Sequence, residues 1–406
     1  KSKNNITGYF MQIGIDDFDE INGRFGLKCG DEILKQFSMC MQSCINENQK
    51  IYELGNGRFI IMDLANHSKE DILELYDELK KSVEVALEEN VYRVVYTISV
   101  GIVEIDKEMK DYDTLIKYSD FALNEAKKKG KNSCYFFTQD KYKQFIRRRE
   151  IRVELQKAVD HNFKNFDVYY QPIIDIHTRN LIGAEALMRF KMKRNEQIEF
   201  ISPAEFIPIL EESGLIIPAG RWILRQAVAC CKKWQEFIPE FKVNVNLSYV
   251  QIIKSKILDE IKHALKAFNL KPALLGIEVT ESGDLENTYH YKKLWSSLKE
   301  EGITLILDDY GTGYSNAYRL SDLTPHYIKI DRVLTQKALS SNYERSILIY
   351  IIEMAHSLKL NVCIEGVETE EELQEIKKLN PDYIQGYLFG KPAPEDEFYN
   401  RQIKKK

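Results

Sequence analysis

From residue 151 onward the sequence contains eight short apolar segments that are typical of buried strands. The segments are DVYYQPII, LIGAEALMRF, KVNVNLS, LLGIEVTES, ITLILDDYG, HYIKID, NVCIEGVE and YIQGYLFG. After the first two, helical stretches such as PAGRWILRQAVACCKKWQEF separate most of them. Eight strands with intervening helices over roughly 250 residues predict an α/β fold, a TIM-type (β/α)8 barrel. The first strand is expected to run antiparallel, because the gap DIHTRN is too short for a helical crossover.

The preceding part of the chain has a different order of strand-like and helical segments, which predicts a smaller α/β domain over residues 1–137. The strand-like segment GYFMQIGI comes first, followed by an amphipathic helix and by KIYELGNGRFIIMDL, a hairpin with an Asn-Gly turn. The charged residues 138–150 are expected to form a linking helix, and residues 151–402 the barrel. Because the chain starts at Lys1 without a methionine and soon enters a strand, we interpret it as an N-terminally truncated fragment, with a sensor or membrane anchor upstream.

Composition narrows the class of protein. Hydrophobic residues make up 44% and charged residues 29%, and the net charge of −5 argues against nucleic-acid binding by bulk electrostatics. The basic runs AKKKGKN and FIRRREIR are interpreted as solvated helix faces. Seven cysteines without a CxxC pair predict reduced thiols in the cytoplasm. No apolar run approaches the roughly 20 residues that span a bilayer, so no membrane contact is expected within this chain.

Almost every predicted barrel strand ends in a polar residue, at the end where TIM-type barrels carry their chemistry. In chain order these residues are Glu185 and Arg189, Asn246, Glu278 and Glu281, Asp308 and Asp309, Lys329 and Asp331, Glu365 and Glu368, and Gln385. Burying an unpaired carboxylate costs several kcal/mol. Up to eight carboxylates would converge here against Lys329 and Arg189, so the arrangement predicts bound cations.

The oxygen ligands of Glu, Asp and Asn favour the hard cations Mg²⁺ or Mn²⁺. No pair of the seven histidines has metal-ligand spacing, which argues against zinc. The adjacent Asp308 and Asp309 can face one site only where their strand is ending. Placed there, they can hold two metals with Asp308 as the bridge, which is the arrangement for in-line displacement at phosphorus.

Eight spaced motifs then carry a family resemblance. EALMRF (185–190), with YYQPI, VNLS, EVTES, DDYGTGYS, KID, EGVET and QGYLF, resembles the EAL family of cyclic-di-GMP phosphodiesterases from about residue 151 to 395. The resemblance implies a barrel homodimer that hydrolyses one phosphodiester bond of cyclic di-GMP and releases linear pGpG. Two Mg²⁺ or Mn²⁺ ions are the implied cofactors.

The same resemblance implies a role for each strand-end residue. Glu185, Asn246, Glu278 and Asp308 would bind one metal, and Asp308 and Asp309 the second with help from Glu365. A water activated by the cations would attack phosphorus, with Lys329 orienting that water or stabilising charge. Whether Glu365 is general base or metal ligand stays open, and Glu281 would anchor the loop GTGYSN. The implied substrate contacts are Gln171, Leu187, Arg189, Asp331, Glu368 and Gln385.

Residues 8–137 resemble a GGDEF domain, the fold that makes cyclic di-GMP from two GTP. The segments IDDFDEINGRFGLKCGDEIL, TISVGIV and YSDFALNEAKKKGKN carry this resemblance. The signature hairpin reads Gly55, Asn56, Gly57, Arg58 and Phe59, so the two acidic positions hold glycine and arginine. The first metal-binding aspartate aligns with Gly14. Cyclase activity is therefore not expected, and GNG is interpreted first as a type I′ hairpin turn. A second interpretation keeps weak, metal-poor GTP binding, because Asn22 occupies a base-contacting position of the family.

Three functions remain in competition. The first is an active phosphodiesterase, and the second is a receptor that binds cyclic di-GMP without cutting it and signals through a protein partner. The third is an interaction scaffold, which leaves the carboxylate cluster unexplained. Receptors of this kind typically lack a metal ligand or the loop anchor. This sequence retains both, which favours the enzyme.

Overall fold

The computed structural model describes residues 8–65, 67–88, 94–105, 111–194, 196–280, 288–311, 320 and 323–404. The chain divides into two compact units, residues 1–147 and 148–406. A 22-residue helix, Gln139–Asp160, runs through the residues where the two units meet in sequence. The boundaries 1–137, 138–150 and 151–402 stay a prediction.

The first unit is a five-stranded sheet with helices. Its elements are β1 (Tyr9–Ile15), α1 (Phe18–Phe25), α2 (Leu27–Cys44), β2 (Gln49–Gly55), β3 (Arg58–Asp63), α3 (Lys69–Glu88), β4 (Ile98–Glu104), α4 (Tyr112–Lys128), β5 (Cys134–Phe136) and the start of α5 (Gln139–Asp160). The strand order is β2-β3-β1-β4-β5. The central strand β1 is buried along its whole length, because apolar side chains cover both of its faces.

The hairpin between β2 and β3 has the predicted turn. Asn56 and Gly57 have φ of 52° and 70°, the left-handed values that a type I′ turn requires at both central positions. Two elements of this unit were not predicted. The helix α1 has no side-chain N-cap and contains Asn22 and Gly23, and β5 has only three residues. Tertiary contacts rather than local sequence propensity therefore determine that α1 and β5 form.

The second unit contains the predicted barrel. Its strands are β6 (Phe166–Asp175), β7 (Leu181–Arg194), β8 (Gln197–Ile201), β9 (Lys242–Asn246), β10 (Leu275–Thr280), β11 (Thr304–Tyr310), β12 (Tyr327–Ile330), β13 (Asn361–Glu365), β14 (Tyr383–Gln385) and β15 (Ala393–Pro394). Its helices after α5 are α6 (Pro203–Ser213), α7 (Ile216–Trp234), α8 (Tyr249–Lys254), α9 (Ile257–Phe268), α10 (Thr288–Glu300), α11 (Arg332–Ser340), α12 (Asn342–Ser357), α13 (Glu370–Lys377) and α14 (Glu395–Phe398).

Eight of these strands close on each other in the order β6-β14-β13-β12-β11-β10-β9-β7, and β7 pairs back with β6. The predicted (β/α)8 barrel is confirmed. Strand β6 is antiparallel to both of its barrel neighbours, as the short gap after it predicted, and the pairs from β7 through to β14 are parallel. The extra strand β8 forms a hairpin with the end of β7. The carboxyl ends of seven parallel strands therefore share one rim.

Two further findings concern the whole chain. All seven cysteines are free thiols, and burial is the main cause that raises the pKa of Cys230 and of Cys231 to about 12. In the part of the chain that the structure describes, no helix has the length and apolarity needed to cross a membrane.

Candidate active site

Five polar side chains meet inside the barrel at the carboxyl ends of its strands. Glu185 comes from β7, Glu278 from β10, Asp308 from β11, Lys329 from β12 and Glu365 from β13. Side chains on a strand alternate between its two faces, and these residues all occupy inward positions. Four of them lie near the end of their strands, whereas Glu185 lies in the longer strand β7, where the pairing of β7 with β9 ends. The apolar residues that alternate with them pack outward against the helices.

Lys329 lies at the centre of this group and is only 1% exposed. Its Nζ is 2.9 Å from Glu185 Oε2, 3.1 Å from Glu278 Oε2, 3.3 Å from Asp308 Oδ1 and 2.7 Å from Glu365 Oε1. Burial alone would lower the pKa of this lysine, but the four carboxylates raise it well above its ordinary value. One ammonium thus faces four carboxylates, and the cluster carries an excess of negative charge when all four are ionised.

Glu185 is the best-satisfied member of the group. Asn246 Nδ2 donates to its Oε1 at 2.7 Å, and Gln385 Nε2 donates to its Oε2 at 2.8 Å. Burial acts to raise the pKa of Glu185, yet the charge and hydrogen bond of Lys329 and the two amides together lower it. Gln385 Nε2 also donates to Gln171 Oε1 at 3.0 Å, while its buried Oε1 accepts no hydrogen bond.

The same surroundings disfavour the charged form of the other three carboxylates. Burial, followed by the charge of Glu185, raises the pKa of Glu278 well above its ordinary value. Burial is also the main cause that raises the pKa of Asp308 to about 6 and that of Glu365 to about 8, with neighbouring carboxylates adding to the effect. A second positive charge close to these groups would favour the ionised form of all three.

The adjacent aspartates reach one site in a way that the sequence did not reveal. The strand β11 ends at Tyr310, one residue after the pair, so the two aspartates lie where the strand is ending, as predicted. The pairing of β11 with β12 shifts register between Leu307 and Tyr310, and Asp309 has a left-handed φ of 55°. This bulge turns the second carboxylate toward the first. The Asp309 backbone N–H also donates to Asp308 Oδ1 at 2.9 Å.

The donor set fits hard divalent cations. One oxygen each from Glu185, Glu278 and Asp308 lie within 4.8 Å of one another, and so do oxygens of Asp308, Asp309 and Glu365. Asp308 belongs to both groups, as the bridging role predicted from the sequence requires. All the donors are oxygens, which suits Mg²⁺ or Mn²⁺, and the charge excess around Lys329 would favour a bound cation.

A cavity of about 280 Å³ opens above the cluster. It brings together nine of the residues predicted from the sequence: Gln171, Glu185, Leu187, Asp308, Asp309, Lys329, Glu365, Glu368 and Gln385. Glu278 and Asn246 do not line it but contact Lys329 and Glu185 from the side. Four further residues line the cavity and were not predicted, because none of them is the polar residue that ends a strand: Arg332, Gly366, Gly386 and Tyr387.

Three predicted substrate contacts have protein partners of their own. Arg189 stacks over Tyr169, with its guanidinium carbon 5.5 Å from the ring centroid, and donates to the Met188 carbonyl at 2.9 Å. Asp331 caps α11 by accepting from the Val333 N–H at 2.7 Å. Glu368 pairs with Arg332 at 2.7 Å. Of these three, only Glu368 lies on the cavity wall, among the residues described. Glu281 and residues 312–316 of the loop GTGYSN lie outside the described residues.

Two protein-family models match this chain, one for each of its two parts. The family model described as EAL domain matches residues 152–392, more than half of the chain. The chain belongs to the EAL domain family. A second model, described as diguanylate cyclase, GGDEF domain, matches residues 2–133. A GGDEF domain and an EAL domain therefore stand in tandem, as the motifs predicted.

Individual relatives support the same assignment over nearly the whole chain. The signaling protein YkoW of Bacillus subtilis is 31% identical over 97% of this chain and 48% of its own length. The cyclic di-GMP phosphodiesterase PdeR of Escherichia coli is 28% identical over 99% of this chain and 60% of its own length. The EAL-containing chain thus spans about half the length of the curated relatives that it matches.

A solved structure matches the EAL domain alone. The PaMucR phosphodiesterase in complex with c-di-GMP is 29% identical, with a TM-score of 0.57, and covers 61% of this chain and 99% of its own. The EAL fold of the second unit therefore rests on sequence and on structure.

Proposed function

We propose that the EAL domain hydrolyses cyclic di-GMP to linear pGpG with the help of two Mg²⁺ or Mn²⁺ ions. The observation that carries the proposal is the group of four carboxylates, three of them buried, around the ammonium of Lys329. A barrel that served only as a scaffold would gain nothing from this arrangement, because each uncompensated buried charge costs several kcal/mol. The names of PdeR and PaMucR, both phosphodiesterases, support the choice of reaction.

The two groups of oxygens suggest how the metals would be shared. Glu185, Asn246, Glu278 and Asp308 would hold the first, and Asp308, Asp309 and Glu365 the second. When bound, the cations lower the pKa of a water molecule and stabilise negative charge on the phosphate. Glu365 can serve as ligand or as general base, since it is close to Lys329 and lines the cavity.

The chain's own residues would bind and orient the dinucleotide. Gln385 and Gln171 line the cavity and would offer amide groups to the substrate, and Leu187 adds an apolar wall. Arg189 would contact a phosphate, and Asp331 and Glu368 would contact the nucleotide from the loops that follow β12 and β13. Lys329 would keep the carboxylates together and hold positive charge near the reacting phosphate.

The bond changes of this reaction are simple. The oxygen of water forms a new bond to phosphorus, the bond from phosphorus to the 3′ oxygen breaks, and that oxygen takes up a proton. The phosphate stays on the 5′ oxygen, which gives pGpG. Glu281 is proposed to anchor the loop that carries Gly311, and a barrel homodimer is proposed as the assembly.

The GGDEF domain is proposed to lack cyclase activity. Cyclase metals need carboxylates, and the corresponding positions hold Gly14, Gly57 and Arg58. The Arg58 guanidinium pairs with Asp120 at 3.4 Å, and its positive charge would disfavour a metal ion nearby. This domain would regulate the barrel, with at most weak GTP binding.

The test is incubation of the chain with cyclic di-GMP and Mg²⁺ or Mn²⁺, followed by chromatography of pGpG. We expect product that depends on metal and that is lost in Glu185→Ala. A matched control is Glu395→Ala, which removes a half-buried carboxylate elsewhere in the barrel that pairs with Lys233. If the wild-type chain binds cyclic di-GMP and yields no pGpG, the proposal fails and the protein is a receptor.

A further inference from the structure

A second layer of polar side chains lies beneath the cluster, inside the barrel. Asn244 on β9 is 3% exposed, and its Nδ2 donates to Glu278 Oε1 at 2.9 Å and to the Tyr327 hydroxyl at 2.5 Å. Tyr327 belongs to β12, so this amide joins β9, β10 and β12 across the interior. Neither residue lines the cavity above the cluster.

The surroundings of this layer are apolar. Tyr327 packs with the buried residues Ile173, Ile306 and Cys363, so the interior at this depth is otherwise hydrophobic. A buried amide in such a place costs free energy unless it is hydrogen-bonded. Asn244 satisfies both hydrogens of its amide nitrogen with two acceptors, and one of these acceptors is a predicted metal ligand.

The orientation of the amide follows from its partner. An ionised carboxylate only accepts hydrogen bonds, so the nitrogen of Asn244 must point to Glu278 when that group is charged. The backbone also makes room for the amide. Gly276 lies opposite Asn244 in the pairing of β9 with β10, and a Cβ atom there would come within 2.2 Å of Asn244 Oδ1.

The two oxygens of Glu278 therefore have different partners. Oε1 accepts from Asn244, and Oε2 accepts from Lys329 at 3.1 Å. Lys329 is shared with three other carboxylates, whereas the described contacts of the Asn244 amide nitrogen go to Glu278 and Tyr327. The Asn244 amide can therefore hold the plane of the Glu278 carboxylate when the charge of the cluster around Lys329 changes.

We propose that Asn244, supported by Tyr327, is a positioning residue that orients Glu278 for metal binding. The inference rests on the proposed function to the extent that Glu278 is a metal ligand. It adds residues below the site that contact neither substrate nor metal. Outer partners of metal ligands commonly tune affinity in this way, and their loss typically costs about 10–100-fold in metal affinity.

The experiment is Mn²⁺ titration of the full chain by calorimetry, with thermal unfolding measured in metal-free buffer. Asn244→Leu keeps the shape and removes the donor, so we expect Mn²⁺ affinity to fall about 10–100-fold. Tyr327→Phe removes one hydroxyl, and we expect a smaller loss in the same direction. In both variants the KM for cyclic di-GMP at saturating metal should stay unchanged, because neither residue lines the cavity.

The matched control is Asn361→Leu. Asn361 is also a strand asparagine whose Nδ2 faces a tyrosine hydroxyl, that of Tyr383 at 3.4 Å, but no described hydrogen bond joins it to a carboxylate. Its Mn²⁺ affinity should equal that of the wild type. If Asn244→Leu lowers the unfolding temperature and leaves Mn²⁺ affinity unchanged, Asn244 is merely structural and the proposal is overturned.

Two further outcomes keep the inference separate from the proposed function. If Asn244→Leu does not fold, Tyr327→Phe decides, and wild-type Mn²⁺ affinity in that variant contradicts the proposal. If the wild type binds Mn²⁺ and makes no pGpG, the proposed function fails, while a weaker Mn²⁺ affinity in the variants still supports the positioning role. If the wild-type chain has no affinity for Mn²⁺, both the proposed function and the positioning role of Asn244 are overturned.

Discussion

Asp16 in the first unit and Asp308 in the barrel are both buried carboxylates at the end of a strand, and their partners differ. Asp16 accepts from Thr97 Oγ1 at 2.7 Å, from Ser99 Oγ at 2.8 Å and from the Asn132 N–H at 3.1 Å. Neutral donors therefore surround it. Asp308 instead faces Lys329, which three other carboxylates share.

The difference teaches how to separate a structural carboxylate from a functional one. Hydrogen bonds satisfy a single buried aspartate without any added charge. Several carboxylates around one ammonium stay unsatisfied until a cation joins them. The same contrast extends to the ends of the two sheets. In the first unit Gly14, Gly57 and Arg58 stand at positions where the GGDEF resemblance implies carboxylates, whereas four carboxylates meet around Lys329 in the barrel.

The largest effect is expected from Asp308→Asn, which removes the charge of the residue shared by both metal groups. Loss of an outer partner already costs about 10–100-fold, so loss of the shared ligand should lower hydrolysis of cyclic di-GMP at least about 100-fold. Initial rates of pGpG formation measure the effect. The control is Asp16→Asn, which should leave hydrolysis unchanged. If Asp308→Asn hydrolyses cyclic di-GMP as fast as the wild type, the contrast between a functional Asp308 and a structural Asp16 is contradicted.

The next prediction concerns the central cation. In Lys329→Met the four carboxylates lose their partner, so the metal-free barrel should lose about 3–5 kcal/mol of stability, as is typical when one partner of a buried pair is removed. Denaturant unfolding in EDTA measures this loss, and added Mg²⁺ should reverse part of it. Lys131→Met removes an exposed pair with Asp17 in the first unit and should leave the unfolding midpoint unchanged. A metal-free Lys329→Met as stable as wild type would contradict the account.

A moderate effect is expected from pH. In the metal-free fold the pKa of Asp308 is about 6 and that of Glu365 about 8, above their ordinary values of 3.8 and 4.5. Between those values the folded chain binds more protons than the unfolded chain, so stability falls as pH rises from about 4 to about 8. Unfolding temperatures measured in EDTA across this range should decline. Saturating Mg²⁺ should flatten the decline, and stability that rose with pH in EDTA would be the opposite result.

The smallest effect is expected for GTP. The first unit has glycine or arginine at the positions where the GGDEF resemblance implies metal-binding carboxylates. Lys127 Nζ would lie 3.2 Å from a Cβ at Gly14, so positive charge replaces the missing aspartate. We expect GTP to bind weakly and independently of Mg²⁺. Calorimetric titration with and without EDTA measures this. No affinity at millimolar GTP would end the hypothesis, and binding that required Mg²⁺ would contradict the loss of the metal site.

Much of the barrel could be predicted because its signals are local. Apolar strands, short gaps and polar strand ends indicated the fold, the antiparallel β6 and the residues that meet at Lys329. The bulge at Asp309 was missed, because a register shift depends on the neighbouring strand β12 rather than on the sequence around the aspartates. The hairpin of β7 with β8 was missed for a similar reason, since β8 is short and largely exposed.

The layer beneath the site was harder to predict. In the sequence Asn244 is one polar residue of the alternating strand KVNVN, two residues before Asn246, which the family resemblance singled out. Its partners Glu278 and Tyr327 are 34 and 83 residues away along the chain. Only the closed barrel brings these side chains together, so no local pattern could have linked them. Arg332 and Tyr387 reach the cavity from beyond the strand ends and were missed in the same way.

The most direct test compares the two halves of the chain in one assay with Mg²⁺ and Mn²⁺. The wild type receives cyclic di-GMP, and Glu185→Ala receives GTP, so that any cyclic di-GMP made by the first unit accumulates. The account predicts pGpG from the first reaction and no cyclic di-GMP from the second. Absence of pGpG, or cyclic di-GMP formed from GTP, would contradict it.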